Sequence, residues 1–134
     1  MFTLNHKNQK IIVIGSGYWG SIIISNLIKL KFKNIIVYDK SIKNKKIAKK
    51  KFKIIKFEKK FSTILKDRKV KNVFVATPPS VNFKIVKKLI LNEKNIFLEK
   101  PGFHKLTDLI KIQSYLKENK SKLMFGYIYC YNDY

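Results

Sequence analysis

Six residues, Gly15-Ser16-Gly17-Tyr18-Trp19-Gly20, constrain this chain more than any other feature. They follow the apolar run 10–14, which reads as a buried strand, and Tyr18 opens a predicted helix that runs to Leu30. A G-x-G-x-x-G pattern is weak by itself, but it becomes specific when it turns a strand into a helix. Gly15 permits a tight turn, Gly17 offers bare backbone that a pyrophosphate can approach, and Gly20 lets the helix pack closely on the sheet. The start of the helix then presents free N–H groups and the positive end of its dipole to phosphate.

The same region invites a different reading. From Ile11 to Ile28 there is no charged residue, and Lys7 and Lys10 precede it, so it reaches the length of a membrane span and imitates a signal peptide. Three glycines, three serines and Asn26 interrupt it, and its two apolar blocks differ in period. Strand, turn and helix account for all of this, and no membrane association is expected.

Charge raises a second alternative. The 134 residues carry a formal net charge of +22, from 30 basic and 8 acidic residues, which resembles a nucleic-acid binder. Of the 30 basic residues 29 are lysines, and Arg68 is the single arginine. Ile, Lys, Asn, Phe, Tyr and Met dominate the chain and share A/T-rich codons, so biased coding explains the lysines without a partner. A base-reading protein is expected to use the planar arginine fork. The lysines therefore read as solvated surface, densest from Lys43 to Lys60, and no specific nucleic-acid site is expected. Cys130 is the single cysteine, which excludes an intrachain disulfide, fits a reducing, cytoplasmic setting, and reads as packing rather than chemistry.

The rest of the chain alternates strand and helix. Residues 1–9 form a polar tail that includes His6. Strands are predicted at 34–39, 52–56, 70–76, 95–98 and 122–127, with helices at 42–51, 57–66, 80–92 and 107–119. Ser41, Ser80, and Thr107 or a residue near it are the expected helix starts, and Val81, Ile85, Leu89 and other apolar residues form one face of the 80–92 helix. Strands this apolar belong to a parallel sheet covered by helices on both faces. The expected fold class is α/β: one doubly wound domain over 10–127 with strand order 3-2-1-4-5-6. Asp39 closes the second strand 19 residues after Gly20, where a carboxylate accepts hydrogen bonds from an adenosine ribose. That favours NAD over NADP, whose 2′-phosphate would meet a like charge, although Lys40 softens the preference.

Four features in order, Gly15–Gly20, Asp39, Ala76-Thr77-Pro78-Pro79 and Glu99-Lys100-Pro101, resemble the N-terminal domain of the Gfo/Idh/MocA oxidoreductases. Tyr18-Trp19 is similar to the branch that oxidises UDP-N-acetyl-hexosamine derivatives at a ring hydroxyl. The resemblance implies cofactor contacts from Gly15, Gly17, Tyr18, Trp19, Gly20, Asp39, Thr77, Pro78, Glu99 and Lys100, and no metal. It makes Lys100 the catalytic residue, stabilising a developing alkoxide or helping to remove its proton. It also implies a cis bond before Pro101.

Two positions depart from the pattern. Asn82 stands where the family often has histidine, and Gly102-Phe103-His104 replaces an aliphatic-small sequence, with His104 read as a surface residue leading into the next helix. The family's second domain supplies most of the substrate pocket and a catalytic histidine. Residues 128–134 resemble the beginning of the crossover to it. The tyrosines at 127, 129, 131 and 134 would pack there, so self-association or a partner half is expected. The alternative is a non-catalytic Rossmann module that binds a nucleotide or a partner chain.

Overall fold

The computed structural model describes residues 8–127 and residue 130; the expectations for His6 and for the tyrosines at 129, 131 and 134 lie outside them. Eleven elements alternate without exception: β1 (Lys10–Ile14), α1 (Tyr18–Lys29), β2 (Ile35–Tyr38), α2 (Ile42–Lys51), β3 (Lys56–Phe57), α3 (Phe61–Lys66), β4 (Val70–Val75), α4 (Pro79–Ile90), β5 (Asn95–Glu99), α5 (Leu106–Glu118) and β6 (Leu123–Gly126). Every strand pair is parallel, in the order β3-β2-β1-β4-β5-β6, as the sequence leads one to expect. β1 lies at the centre, and the chain reverses its direction of travel across the sheet between β1 and β4.

Alternate strand residues feed two cores. Ile12 and Ile14 of β1, Val73 and Val75 of β4, and Ile96 and Leu98 of β5 pack against Val86, Leu89 and Ile90 of α4 and Ile112 of α5. Ile11, Val13, Ile35 and Val37 face the other way, onto Ile23, Ile24 and Leu27 of α1 and Ala48 of α2. Ser41 caps α2 by accepting a hydrogen bond from the Asn44 N–H at 3.2 Å.

Several boundaries and faces differ from expectation. Pro78, not Ser80, precedes α4, because proline at the first helical position needs no N–H partner. α5, by contrast, begins at Leu106, beside Thr107, where its start is expected. The edge strand forms at Lys56–Phe57 instead of 52–56, because Phe52 and Ile55 turn into the core under α2. α3 accordingly starts at Phe61 rather than at 57. The buried face of α4 is Asn82, Val86, Leu89 and Ile90, which leaves Val81 exposed. Cys130 is exposed too, not packed, since it lies past the end of β6.

Helices do not cover both faces across the whole sheet. α1 and α2 shield the β1–β2 side, but beyond them Phe74, Phe97 and Met124 line an open groove of about 560 Å³ with Asn72, Asn95 and Lys122. Met124 is 47% exposed there. Nor are all lysines on the surface. Lys94 is 4% exposed, and its ammonium donates to the carbonyls of Asp67 at 2.8 Å and Val70 at 3.0 Å. Burial lowers its pKa. Two carbonyl partners are what allow the charge to stay inside.

Leu89→Ala removes a fully buried side chain and should lower unfolding stability by about 2–5 kcal/mol in urea titrations. Val81→Ala, on the exposed side of the same helix, should change it by about 0.5 kcal/mol or less.

Candidate functional site

The turn after β1 has the backbone its glycines imply. Gly15 lies at φ +89°, and its N–H donates to the Tyr38 carbonyl at 2.8 Å. A Cβ on Gly15 would stand 2.5 Å from the Ala76 carbonyl oxygen, and one on Gly20 would collide with the Gly15 carbonyl. These two glycines let α1 approach the carboxyl ends of β1 and β4. Gly17 differs. It caps α1 without a side chain, and a Cβ there would meet only Asn44 Nδ2, at 3.9 Å. The space over Gly17 is open, as a dinucleotide pyrophosphate requires, so the residues present fit that group.

Asp39, just after β2, reaches back to this turn. Its Oδ2 accepts from the Ser16 N–H at 2.7 Å, the Ser16 hydroxyl at 2.8 Å and Asn44 Nδ2 at 3.4 Å. Its Oδ1 accepts from the Ser41 N–H at 2.7 Å. Burial pushes the carboxyl pKa up, but the hydrogen bonds from Ser16, Ser41 and Asn44 together hold it below its ordinary value. The charge therefore sits beside the glycine turn, held in place by its own chain. A ribose hydroxyl still finds acceptor capacity on Oδ1.

A second group of residues gathers at the carboxyl ends of β4 and β5. The Thr77 hydroxyl donates to Asn82 Oδ1 at 2.6 Å, and Asn82 Nδ2 donates to the Gly102 carbonyl at 2.7 Å. Asn82 is 1% exposed, and its amide ties the loop after β4 to the loop after β5. In that second loop the Lys100–Pro101 bond is cis, and Gly102 lies at φ +82°, where a Cβ would stand 2.6 Å from the Phe125 ring. Glu99 ends β5 half-buried, and burial raises its pKa despite the Lys100 N–H and charge beside it. Lys100 is exposed, with Nζ 5.5 Å from the centre of the Trp19 ring. Tyr18, 76% exposed, meets Trp19 edge to face at 5.4 Å. Trp19 of α1 and Lys100 after β5 are thus brought together across the sheet edge. His104 is exposed and makes no recorded contact with this group.

Three contributors were not singled out as site residues from the sequence: Ser16, Asn44 and Asn82. Ser16 is a free position of the glycine pattern, and nothing in the pattern reports its hydroxyl. Asn44 follows the helix cap Ser41 by three residues, a legible local relation, but its reach to Asp39 is tertiary. Asn82 was noted only as a departure. Its spacing from Val86, Leu89 and Ile90 puts a polar residue on the buried face of α4, and that was the available signal.

Fold and site together define a dinucleotide-binding Rossmann domain. The chain belongs to the Gfo/Idh/MocA oxidoreductases, a family with an NAD-binding Rossmann fold, whose profile matches residues 9–127. Among solved structures it is similar to an NAD-binding protein from Listeria innocua, at 22% identity and a TM-score of 0.76 over 89% of this chain and 35% of that one. A biliverdin reductase from Synechocystis sp. PCC 6803, in complex with biliverdin and NADP+, is 16% identical, with a TM-score of 0.80 over 92% of this chain and 39% of that one. The apo scyllo-inositol dehydrogenase from Lactobacillus casei is 21% identical, with a TM-score of 0.75 over 94% of this chain and 39% of that one. The chain thus spans between 35% and 39% of the length of these structures. No curated protein matches it by sequence. None of its helices, among the described residues, is long and apolar enough to cross a membrane.

Because the folded-state pKa of Asp39 is depressed, the stability it contributes is present above its ordinary value of 3.8 and is lost as pH falls through the lower folded value. Asp67, held down by Lys10, adds to the same acid limb. Asp39→Asn should therefore flatten, without abolishing, the loss of thermal stability on acidification. Asn82→Ala leaves the Thr77 hydroxyl and Gly102 carbonyl without their partner, and should cost about 1–3 kcal/mol by urea unfolding.

Proposed function

We propose that this chain is the cofactor-binding part of an oxidoreductase acting on a sugar ring hydroxyl, of nucleotide-sugar type. Bound NAD supplies the hydride acceptor. The observation that carries the reading is the convergence of the open Gly17 turn, the Asp39 carboxylate and Lys100 at one edge of the sheet. The backbone of Gly15, Gly17 and Gly20 receives the pyrophosphate, and Asp39 orients the adenosine ribose. Thr77 and Pro78 wall the nicotinamide riboside. Tyr18, Trp19 and Glu99 border the same space. Lys100 faces the substrate hydroxyl and stabilises its developing negative charge. The sugar assignment rests on the Tyr18-Trp19 resemblance, and the inositol dehydrogenase among the similar structures is compatible with a polyhydroxylated substrate.

The reading extends to assembly and location. The uncovered Phe74, Phe97 and Met124 face and the half-exposed Tyr127 favour self-association or pairing with a partner half. A cytoplasmic setting agrees with the lone cysteine. One observation favours a second, non-catalytic reading: among the described residues Lys100 forms no ion pair, and its contact is the Trp19 ring.

Calorimetry with both cofactors tests the binding claim. NAD(H) should bind more tightly than NADP(H), because Asp39 repels a 2′-phosphate; tighter NADP(H) binding would show that Lys40 and its neighbours override it. Gly17→Val should abolish binding with the circular dichroism spectrum kept, and unchanged affinity would remove the glycine turn as the phosphate site. The 134-residue chain alone should produce no NADH from UDP-N-acetylglucosamine or UDP-N-acetylglucosaminuronate, since the expected base and pocket belong to a further domain. Robust turnover by it alone would contradict this. Light scattering at moderate salt should give a mass above that of a monomer.

A further inference from the structure

Asn44 is not part of the glycine pattern, yet its side-chain amide is the group closest to the place where that pattern is open. Nδ2 lies 3.9 Å from the Cβ position of Gly17. One N–H of the same amide is engaged by Asp39 Oδ2 at 3.4 Å. That acceptor already takes two shorter bonds from Ser16, so Asn44 is its weakest partner. An amide nitrogen carries two N–H groups, and the second has no hydrogen bond among the described residues. The first turn of α2 fixes the backbone at Asn44, whose N–H is bound to the Ser41 cap, and the contact with Asp39 Oδ2 orients its side chain. The result is a spare, preoriented donor at the rim of the open turn, next to a carboxylate that repels anions.

We propose that Asn44 is a cofactor-binding residue that donates from its side-chain amide to a pyrophosphate oxygen of the dinucleotide. This rests on the proposed cofactor reading and adds a residue to it. The amide has two effects. It gives the phosphate a neutral donor where the glycine turn offers only backbone. It also stands between the phosphate and Asp39, so that the anionic ligand and the anionic side chain share a partner instead of facing each other. A hydrogen bond to a charged group is among the stronger ones.

The test uses the full chain, NADH and calorimetry. Asn44→Ala should weaken NADH binding about tenfold, and Asn44→Asp, which is isosteric but places a charge beside the pyrophosphate, by more. A direct contact differs from an effect relayed through Asp39. In an Asp39→Ala background, Asn44→Ala should still cost about tenfold, whereas a residue that only positions Asp39 would lose its effect there. Circular dichroism and thermal unfolding check that each variant is folded; if Asn44→Ala is too unstable to assay, Asn44→Leu, which keeps the side-chain volume without a donor or a charge, carries the same comparison. NADH binding by wild type with Asn44→Ala within twofold of it, or an effect that vanishes without Asp39, overturns this assignment alone. No NADH binding by the folded wild-type chain overturns the cofactor reading and this assignment together.

Discussion

The structure depends on one close approach. Gly20 brings the first turn of α1 against the Gly15 carbonyl, and Gly15 in turn lies against the Ala76 carbonyl at the end of β4. Two segments distant in sequence, the glycine turn leading into α1 and the end of β4, meet there without an intervening side chain. Only that approach lets Ile23, Ile24 and Leu27 settle on Ile11 and Val13 beneath them. It also sets the depth of the cleft, because the start of α1 cannot retreat from the sheet edge without opening the core below. The shape of the glycine turn and the packing of the core are thus fixed by the same backbone contact.

Around this contact, two polar ties hold loops that apolar packing would leave loose. Asp39 binds the glycine turn to the end of β2 and the start of α2. Asn82 binds the end of β4 to the loop beyond β5. Each spans a gap between neighbouring strands at their carboxyl ends, on either side of the β1–β4 reversal. Held by several hydrogen bonds each, such groups favour one loop arrangement over others rather than adding much net stability. They are placed where loops have to remain in register with each other.

Much of this was legible in the sequence because it is local. Strand order and the close packing at Gly15 and Gly20 follow from period and position, and the bounds of β1 and α2 agree with the residues read for them. What escaped the reading is tertiary. The edge strand moved to Lys56–Phe57 because Phe52 and Ile55 fill the core under α2, which no window along the chain reports. Lys94 looks like any of the other lysines until β4 and the end of α3 bring two carbonyls to it. The cover over Phe74 and Phe97 was inferred from apolar composition, but the number of helices on that side is a matter of connectivity. At the site, the glycine pattern and Asp39 are legible from type and spacing, whereas Lys100 stands out from the other lysines only through the Glu99 and Pro101 beside it. Ser16 and Asn44, ordinary polar residues, acquire their meaning only from what folds beside them.

Trp19 is the single tryptophan of the chain, and its ring carries the Lys100 ammonium on its face and the Tyr18 edge beside it. The indole is the most polarisable ring a protein offers to a cation. All of the tryptophan emission of this protein therefore originates at one corner of the sheet's carboxyl edge, next to Lys100. A charge 5.5 Å from the ring centre acts on the indole through its position, so the molecule has a built-in optical gauge at the place where its loops meet.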